Sequence, residues 1–563
     1  MAGRLRAAAA VWAPVMGLLV WLVIDRRLLG AATDLGAIPP GIALPMLAGL
    51  FGGASVGALV AVRWPAAGLV LAAVVTALVG FVAWVQFRPT AAVPVITAVA
   101  VPVVLLAAAH RLTRPLRPLR TLAVVTALSV AAACVGADRL YGHFYGPTHP
   151  ASAARPVPVD RILWLWAGAL TPTSFTVTAR LVGGVRQARL VVATDAGMTT
   201  ARYGAVQPVQ EDTGRSVRLT ATGLRPGTRY VYGLEVDGRL DTARGQLATP
   251  PAGPASFRFA VGACARTGSN GRVFDAIRAT DPLFYLNTGD LFYGDVDTDD
   301  LPRFRRLYDA TLSSPAQAAL YRSTATAYVW DDHDYGPNNA DGSSASRPAA
   351  AQAYREAVPH YPLVTADPDG PIAQAFSIGR VRFLLTDSRS ARSRADVPQV
   401  RKTALGEQQR TWLEAQLRAG RDRYALVVWV NTVPWIDEPG ADADTWGGFD
   451  TERRRLADVI AGAGIRNLLM VSGDAHMLAI DDGTHSDYSD AGEGGFPVFH
   501  AAPLDRPGHV KGGPYSSGTR SRGGQFGLVT VEDPGSGPVT VTLSGRSYTG
   551  AEVMRYRFSS PRP

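Results

Sequence analysis

Hydrophobic and polar positions change their rhythm along the chain. Up to residue 137 the apolar residues come in five long stretches, about 7–24, 38–62, 66–87, 92–109 and 121–137. Each can cross a hydrocarbon core of ~30 Å as a helix, the last only just, so an α-helical membrane region of about five spans is predicted over 1–137. The next residues, "DRLYGHFYGPTHPASAARPVP" (138–158), are rich in Gly, Pro and small polar types and read as a linker. Residues 159–250 then alternate with period two, as in "SFTVTARLV", "ARLVVAT" and "RYVYGLEVDG", which predicts a small β-sandwich. Past the Pro-rich "ATPPAGPA" (248–255) come short apolar runs with turn residues at their ends: "FRFAVGA", "PLFYLNTG", "AYVW", "VRFLLTD", "YALVVWVNT" and "NLLMVSGD". Helical patterns such as "ALGEQQRTWLEAQLRAG" and "TERRRLADVIAGAG" lie between some of them. Buried strands alternating with helices predict an α/β or α+β layered domain over 255–563. Three terminal strand patterns, "FGLVTVED", "PVTVTLSGRS" and "EVMRYRF", close it.

Charge sharpens the first part of this picture. The pI is near 9.6, yet residues 1–150 hold 11 of the 56 basic residues and only 3 of the 47 acidic ones. The remainder is balanced, so no basic face for nucleic acid is expected. Arg111, Arg114, Arg117 and Arg120 share one short loop between the fourth and fifth apolar stretches. Arginine-rich loops stay in the cytoplasm, which puts everything after about 138 outside it. Arg26 and Arg27 run against that orientation. Cys134 falls in the fifth stretch and Cys264 in the layered domain, so no disulfide between them is expected. In the sandwich, "LRPGTRYVYGLEVDG" (224–238) resembles a fibronectin type III strand pair, with Tyr230 or Tyr232 placed to tie down a corner.

Candidate chemistry collects just past the strands of the layered domain, where ligands bind in open α/β sheets. Cys264 follows the first run, and "GDLFYGD", with Asp290, Tyr293 and Asp295, follows the second. "DDHDYGPNN" follows the third and "GDAH", with Asp474 and His476, follows the last. Three carboxylates within four residues, Asp331, Asp332 and Asp334, repel one another unless they are solvated or share a cation. Thiolate, imidazole and hard oxygens together suit two different ions.

This set of motifs, with "FLLTDSRS" and "DTWGGFDTER", resembles the PhoD-like alkaline phosphatases, a branch of the metallophosphoesterases. The resemblance covers about 255–560 and leaves the predicted membrane region outside it. It implies Fe³⁺ held by Cys264, Asp290, Tyr293 and His476, and Ca²⁺ held by Asp290, Asp332 and Asp474, with Asn338 or Asn339 adding an oxygen. It implies His333 as general acid, oriented by Asp331 or Asp334, and a metal-bound hydroxide attacking phosphorus. Arg389 is expected either to bind phosphate or to pair with Asp387; Trp446 and Phe449 line a substrate rim or belong to the core. The resulting expectation is a multi-pass cell-membrane protein whose extracytoplasmic part hydrolyses phosphate esters. A phospholipase D-like enzyme acting on lipid and a non-catalytic surface-binding protein are the alternatives.

Overall fold

The computed structural model describes residues 145–149, 160–440 and 443–560. The five predicted spans lie outside the described residues, among which no helix is long and apolar enough to cross a membrane. The chain divides into two compact units, Met1–Gly142 and His143–Pro563, and all described residues belong to the second. The described part of the predicted linker, residues 145–149, is anchored. Thr148 bridges to Gly271, and the His149 N–H donates to the Asn270 carbonyl at 2.9 Å.

Two antiparallel sheets make the sandwich. One holds β1 (Ile162–Thr171), β2 (Ser174–Leu181) and β6 (Ser216–Ala221). The other holds β3 (Gln187–Ala193), β4 (Arg202–Tyr203), β5 (Gln207–Pro208), β7 (Arg229–Val236) and β8 (Arg239–Ala248). The corner falls to Tyr230, whose hydroxyl accepts the Arg225 N–H at 2.9 Å, while the Tyr232 hydroxyl donates to the Arg322 carbonyl at 3.2 Å. The sandwich and the layered domain share one hydrophobic core. Trp166 Nε1 donates to the Ala357 carbonyl at 2.7 Å, and the Tyr361 hydroxyl to the Leu170 carbonyl at 2.9 Å. The apolar run "ILWLWAGAL" carries that signal, because a strand buried on both faces does not alternate.

The layered domain contains two further sheets. The first takes β9 (Phe257–Gly262), β10 (Phe284–Asn287), β11 (Ala325–Tyr328), β19 (Gln525–Glu532), β20 (Thr540–Ser547) and β21 (Glu552–Ser559), in the order β11-β10-β9-β19-β20-β21. The second takes β12 (Gln374–Ile378), β13 (Val381–Leu385), β14 (Leu426–Val430), β15 (Leu468–Ser472), β16 (Leu478–Asp481), β17 (Val498–Ala501) and β18 (Thr519–Arg520), in the order β12-β13-β14-β15-β17-β16-β18. Strands β9 to β11 run parallel, as do β13, β14, β15 and β17. Aromatic rings join the two sheets: Phe259 stacks on Phe284 at 5.0 Å, and both meet Phe383 edge-on at 5.3 Å. Pairs of this kind add ~0.5–1.5 kcal/mol each beyond the burial of their area.

Helices cover the outer faces. On the first sheet's side are α1 (Val273–Ala279), α2 (Leu301–Ser313) and α3 (Pro315–Ser323); α4 (Asp332–Tyr335) is a single turn and α5 (Arg347–Ala357) follows it. On the second sheet, α6 (Gly406–Arg423) buries Leu413 and Leu417, and α7 (Asp450–Gly462) buries Leu456 and Ile460. Both pairs are four residues apart and so share one helix face, which meets Trp429 and Met470 in a second core.

Candidate metal centre

The parallel strands bring their C-terminal ends to one place. Cys264 lies two residues past β9, Asp290 three past β10, and Asp474 two past β15; Asp331 and Asp332 follow β11. Two glycines let the ends meet. At Gly289, φ is +108° and a Cβ would fall 2.5 Å from the Asp331 Cβ; at Gly473 a Cβ would fall 2.6 Å from the Thr288 carbonyl. Cys264, Asp290, Asp295, Asn339 and Asp474 all hold positive φ, half of the ten such non-glycine residues described. Left-handed backbone at non-glycine positions is costly, and here it re-aims strand-end side chains into a common volume.

Three groups of candidate ligand atoms each lie within 4.8 Å of one another: Cys264, Asp290 and His476; Asp290, Asp332 and His333; Asp331, Asp332 and Asp474. The Tyr293 hydroxyl donates to Asp290 Oδ2 at 2.8 Å and sits 2.9 Å from His476 Nε2. His476 Nδ1 donates to the Pro507 carbonyl at 2.8 Å, which leaves the Nε2 lone pair facing the cluster. A backbone carbonyl that fixes the tautomer in this way is the usual support of a metal-binding histidine. Buried oxygens Asp290 Oδ1, Asp332 Oδ1 and Asp331 Oδ2 have no hydrogen-bond partner.

Electrostatics make the same point. Burial, with help from Asp290 and Asp474, pushes the Cys264 thiol well above its usual range. Burial likewise raises Asp290 well above the carboxylate range, and takes Asp331 up to about 7 and Asp474 up to about 6. Burial and the nearby Arg506 depress His476. Thiol, phenol, carboxylates and a neutral imidazole thus converge where burial outweighs the help that Arg389 gives Asp331 and Lys511 gives Asp474, and a cation would favour their charged forms. The residues fit the expected two-cation centre.

The remaining expectations divide. His333 stands at the cluster with its ring 4.1 Å from that of Tyr293. Its orienting partner is Asp295, through Nδ1 and Oδ1 at 2.6 Å, and not Asp331 or Asp334. Asp331 is occupied by Arg389 Nε at 2.6 Å and the Thr432 hydroxyl at 2.8 Å. Asp334 accepts the Leu291 and Asp331 N–H groups and the Tyr328 hydroxyl. Burial disfavours charge on His333, yet Asp332, Asp290 and Asp295 together carry its pKa up to about 10.

Arg389 is fully buried, and its guanidinium meets neither of its expected roles. Its side chain binds Asp331 and grips Asp444 at 2.9 and 3.1 Å. Asp387 instead receives the Arg389 and Ser390 backbone N–H groups. The Asn338 and Asn339 side chains are exposed; it is the Asn339 backbone N–H that reaches Asp332 Oδ2, at 2.6 Å. Trp446 and Phe449 are core. Lys511 carried no motif signal; Asp444, the first residue of "DTWGGFDTER", and Asp295, read among the strand-end residues, carried no assigned role.

Comparison with known proteins agrees with this geometry. Residues 259–514 match the PhoD-like phosphatase family. Over 315 residues the chain is 25% identical to alkaline phosphatase D of Bacillus subtilis, covering 46% of this chain and 53% of that protein. The chain therefore spans about half the length of this curated relative. A solved structure of PhoD superposes with a TM-score of 0.59 at 17% identity, covering 71% of this chain and 90% of that one, which is a likeness of fold. Fold, strand-end residues and sequence match agree that residues 259–514 are similar to a PhoD-like phosphatase domain.

Proposed function

We propose that this domain hydrolyses phosphate esters at a two-cation centre, with Fe³⁺ held by Cys264, Asp290, Tyr293 and His476, and Ca²⁺ held by Asp290, Asp332 and Asp474. One observation carries the reading. Buried oxygens of Asp290 and Asp332 that accept no hydrogen bond lie in a cluster with an imidazole that a further carboxylate, Asp295, holds in place. Cations bound there would supply Lewis acidity to the phosphoryl oxygens and lower the pKa of a water.

The chain's own residues do the rest. Asp295 accepts the Nδ1 proton of His333 and stabilises the imidazolium, so that Nε2–H can be delivered to the leaving oxygen. Arg389 lies behind Asp331 and Asp332, 2.6 and 3.7 Å from their oxygens. Against the effect of burial, Arg389 and His333 hold Asp332 below its usual pKa and so keep it ionised.

The test is a metal count and a panel of phosphate monoesters and diesters on the purified full-length chain. Iron and calcium with ester hydrolysis are expected. A visible band from thiolate-to-iron or phenolate-to-iron charge transfer should shift in Cys264→Ser and Tyr293→Phe. A colourless, fully active zinc protein would overturn the metal assignment, and a metal-loaded protein inert on every ester would overturn the activity.

The same reading holds the chain at a membrane with this domain outside the cytoplasm, supported by the five apolar stretches and the arginines of the 110–120 loop. A reporter fused after residue 137 should register an external location. Cytoplasmic signal there would reverse the orientation.

A further inference from the structure

Lys511 lies in "HVKGG", a stretch that no catalytic motif marks. Its ammonium stands 2.5 Å from Asp474 Oδ2 and 3.2 Å from Asp444 Oδ2. Asp444 is itself fixed: Arg389 takes both of its oxygens, at 2.9 and 3.1 Å, and Arg392 takes Oδ1 at 2.5 Å. A carboxylate held by two arginines is a rigid anchor, and it sets where the lysine can stand. That position is on a candidate ligand of the second cation. An ammonium has three N–H donors. Two are used on these carboxylates, and the side chain remains 23% exposed at the site, so the third can be offered to a ligand.

We propose that Lys511 reads the phosphoryl group: it opposes cation binding at Asp474 and donates a hydrogen bond to a phosphoryl oxygen held beside it. This rests on the two-cation reading above and gives it a charge preference. A further positive charge at the phosphoryl favours a dianionic monoester over a monoanionic diester. The two effects have opposite signs, which separates them from a merely structural role. Losing a structural lysine would weaken both kinds of binding.

The experiment uses the full-length protein, with calcium alone and then inorganic phosphate at saturating calcium, followed by calorimetry. Lys511→Met should bind calcium on the order of ten-fold more tightly, since even a well-screened unit charge at this range has about that effect. It should bind phosphate on the order of ten-fold more weakly. Lys511→Arg keeps the charge and should stay within roughly three-fold of the parent in both respects. Should Lys511→Met fail to fold, Lys511→Gln removes the charge while keeping a polar end, and the same two shifts are expected. Calcium affinity unchanged or weakened in a folded charge-loss variant overturns the proposal, as does unchanged phosphate binding. If the parent hydrolyses no ester while calcium tightens as expected, the proposed activity falls and the lysine's effect on the cation site stands.

Discussion

Asp295→Asn tests how His333 works, because the Asp295 carboxylate meets the site through its hydrogen bond to that ring. The bond is short, 2.6 Å, and charge-assisted, with Asp295 30% exposed and His333 11% exposed. Hydrogen bonds to charged groups contribute ~1.5–3 kcal/mol, and partial exposure places this one near the lower end. About 1.5 kcal/mol is roughly ten-fold in rate. On an alkyl phosphate, whose leaving oxygen needs a proton, Asp295→Asn should lose about ten-fold in kcat/KM, and His333→Ala ~10²–10⁴-fold. On p-nitrophenyl phosphate, whose leaving group needs little protonation, both should lose much less. The double variant should be no slower than His333→Ala alone, since Asp295 has no route to substrate except the imidazole. The assay is kcat/KM on both substrates, with metal content measured for every variant. Equal losses on the two leaving groups, additive losses in the double variant, or metal lost from His333→Ala would each refute the proton-delivery role.

Three further outcomes follow from the same contacts. Asp332→Asn should lose the second cation and fail on both leaving groups alike; retained metal stoichiometry would remove Asp332 from the ligand set. Arg389→Met should destabilise the fold by ~3–5 kcal/mol in denaturant titration, because it leaves Asp331 buried without its cationic partner, whereas Asp444 keeps Arg392 and Lys511. A stable Arg389→Met protein that merely binds phosphate more weakly would restore the substrate role. His360 is pushed down to about 4, chiefly by burial and then by Arg218, so the folded chain holds it neutral. The unfolded chain takes up that proton first, so stability is full above about pH 6.5 and falls by about 3 kcal/mol as pH drops towards 4. His360→Gln should flatten part of that slope in melting curves; an unchanged slope would count against the buried neutral histidine.

Much of the fold was legible because its strands are buried on both faces and so appear as unbroken apolar runs. "NLLMVSGD" became Leu468–Ser472, with Asp474 two residues beyond. The metal-facing residues were legible for the same reason: they sit at fixed offsets from runs of that kind. The parts played by Asp444 and Lys511 were not, because each comes from an irregular loop and meets its partners only in space: Asp444 the two arginines, Lys511 the carboxylates of Asp444 and Asp474. The fused sandwich was hidden for a different reason. Its contacts with α3 and α5 are a shared core and tertiary hydrogen bonds such as Tyr232 to Arg322 and Trp166 to Ala357, and periodicity does not record tertiary partners.

The run "DDHDYGPNN" shows how far local pattern reaches. As a sequence, its three carboxylates are one repelling block. As a single helical turn, successive side chains diverge by about 100°, so neighbours in sequence need not be neighbours in space. Asp331 turns toward Arg389 and Thr432, and Asp334 turns back to cap its own turn and meet Tyr328. Asp332 keeps a buried oxygen that accepts no hydrogen bond, with Arg389 at 3.7 Å, and shares a candidate ligand cluster with Asp290. Asp331 Oδ2 is unpartnered too, but its other oxygen is already neutralised by an arginine. The turn therefore distributes three like charges to three different tasks. One pairs with Arg389, one closes the helix, and one faces the candidate ligand cluster, and His333 lies between the last two with its Nδ1 on Asp295.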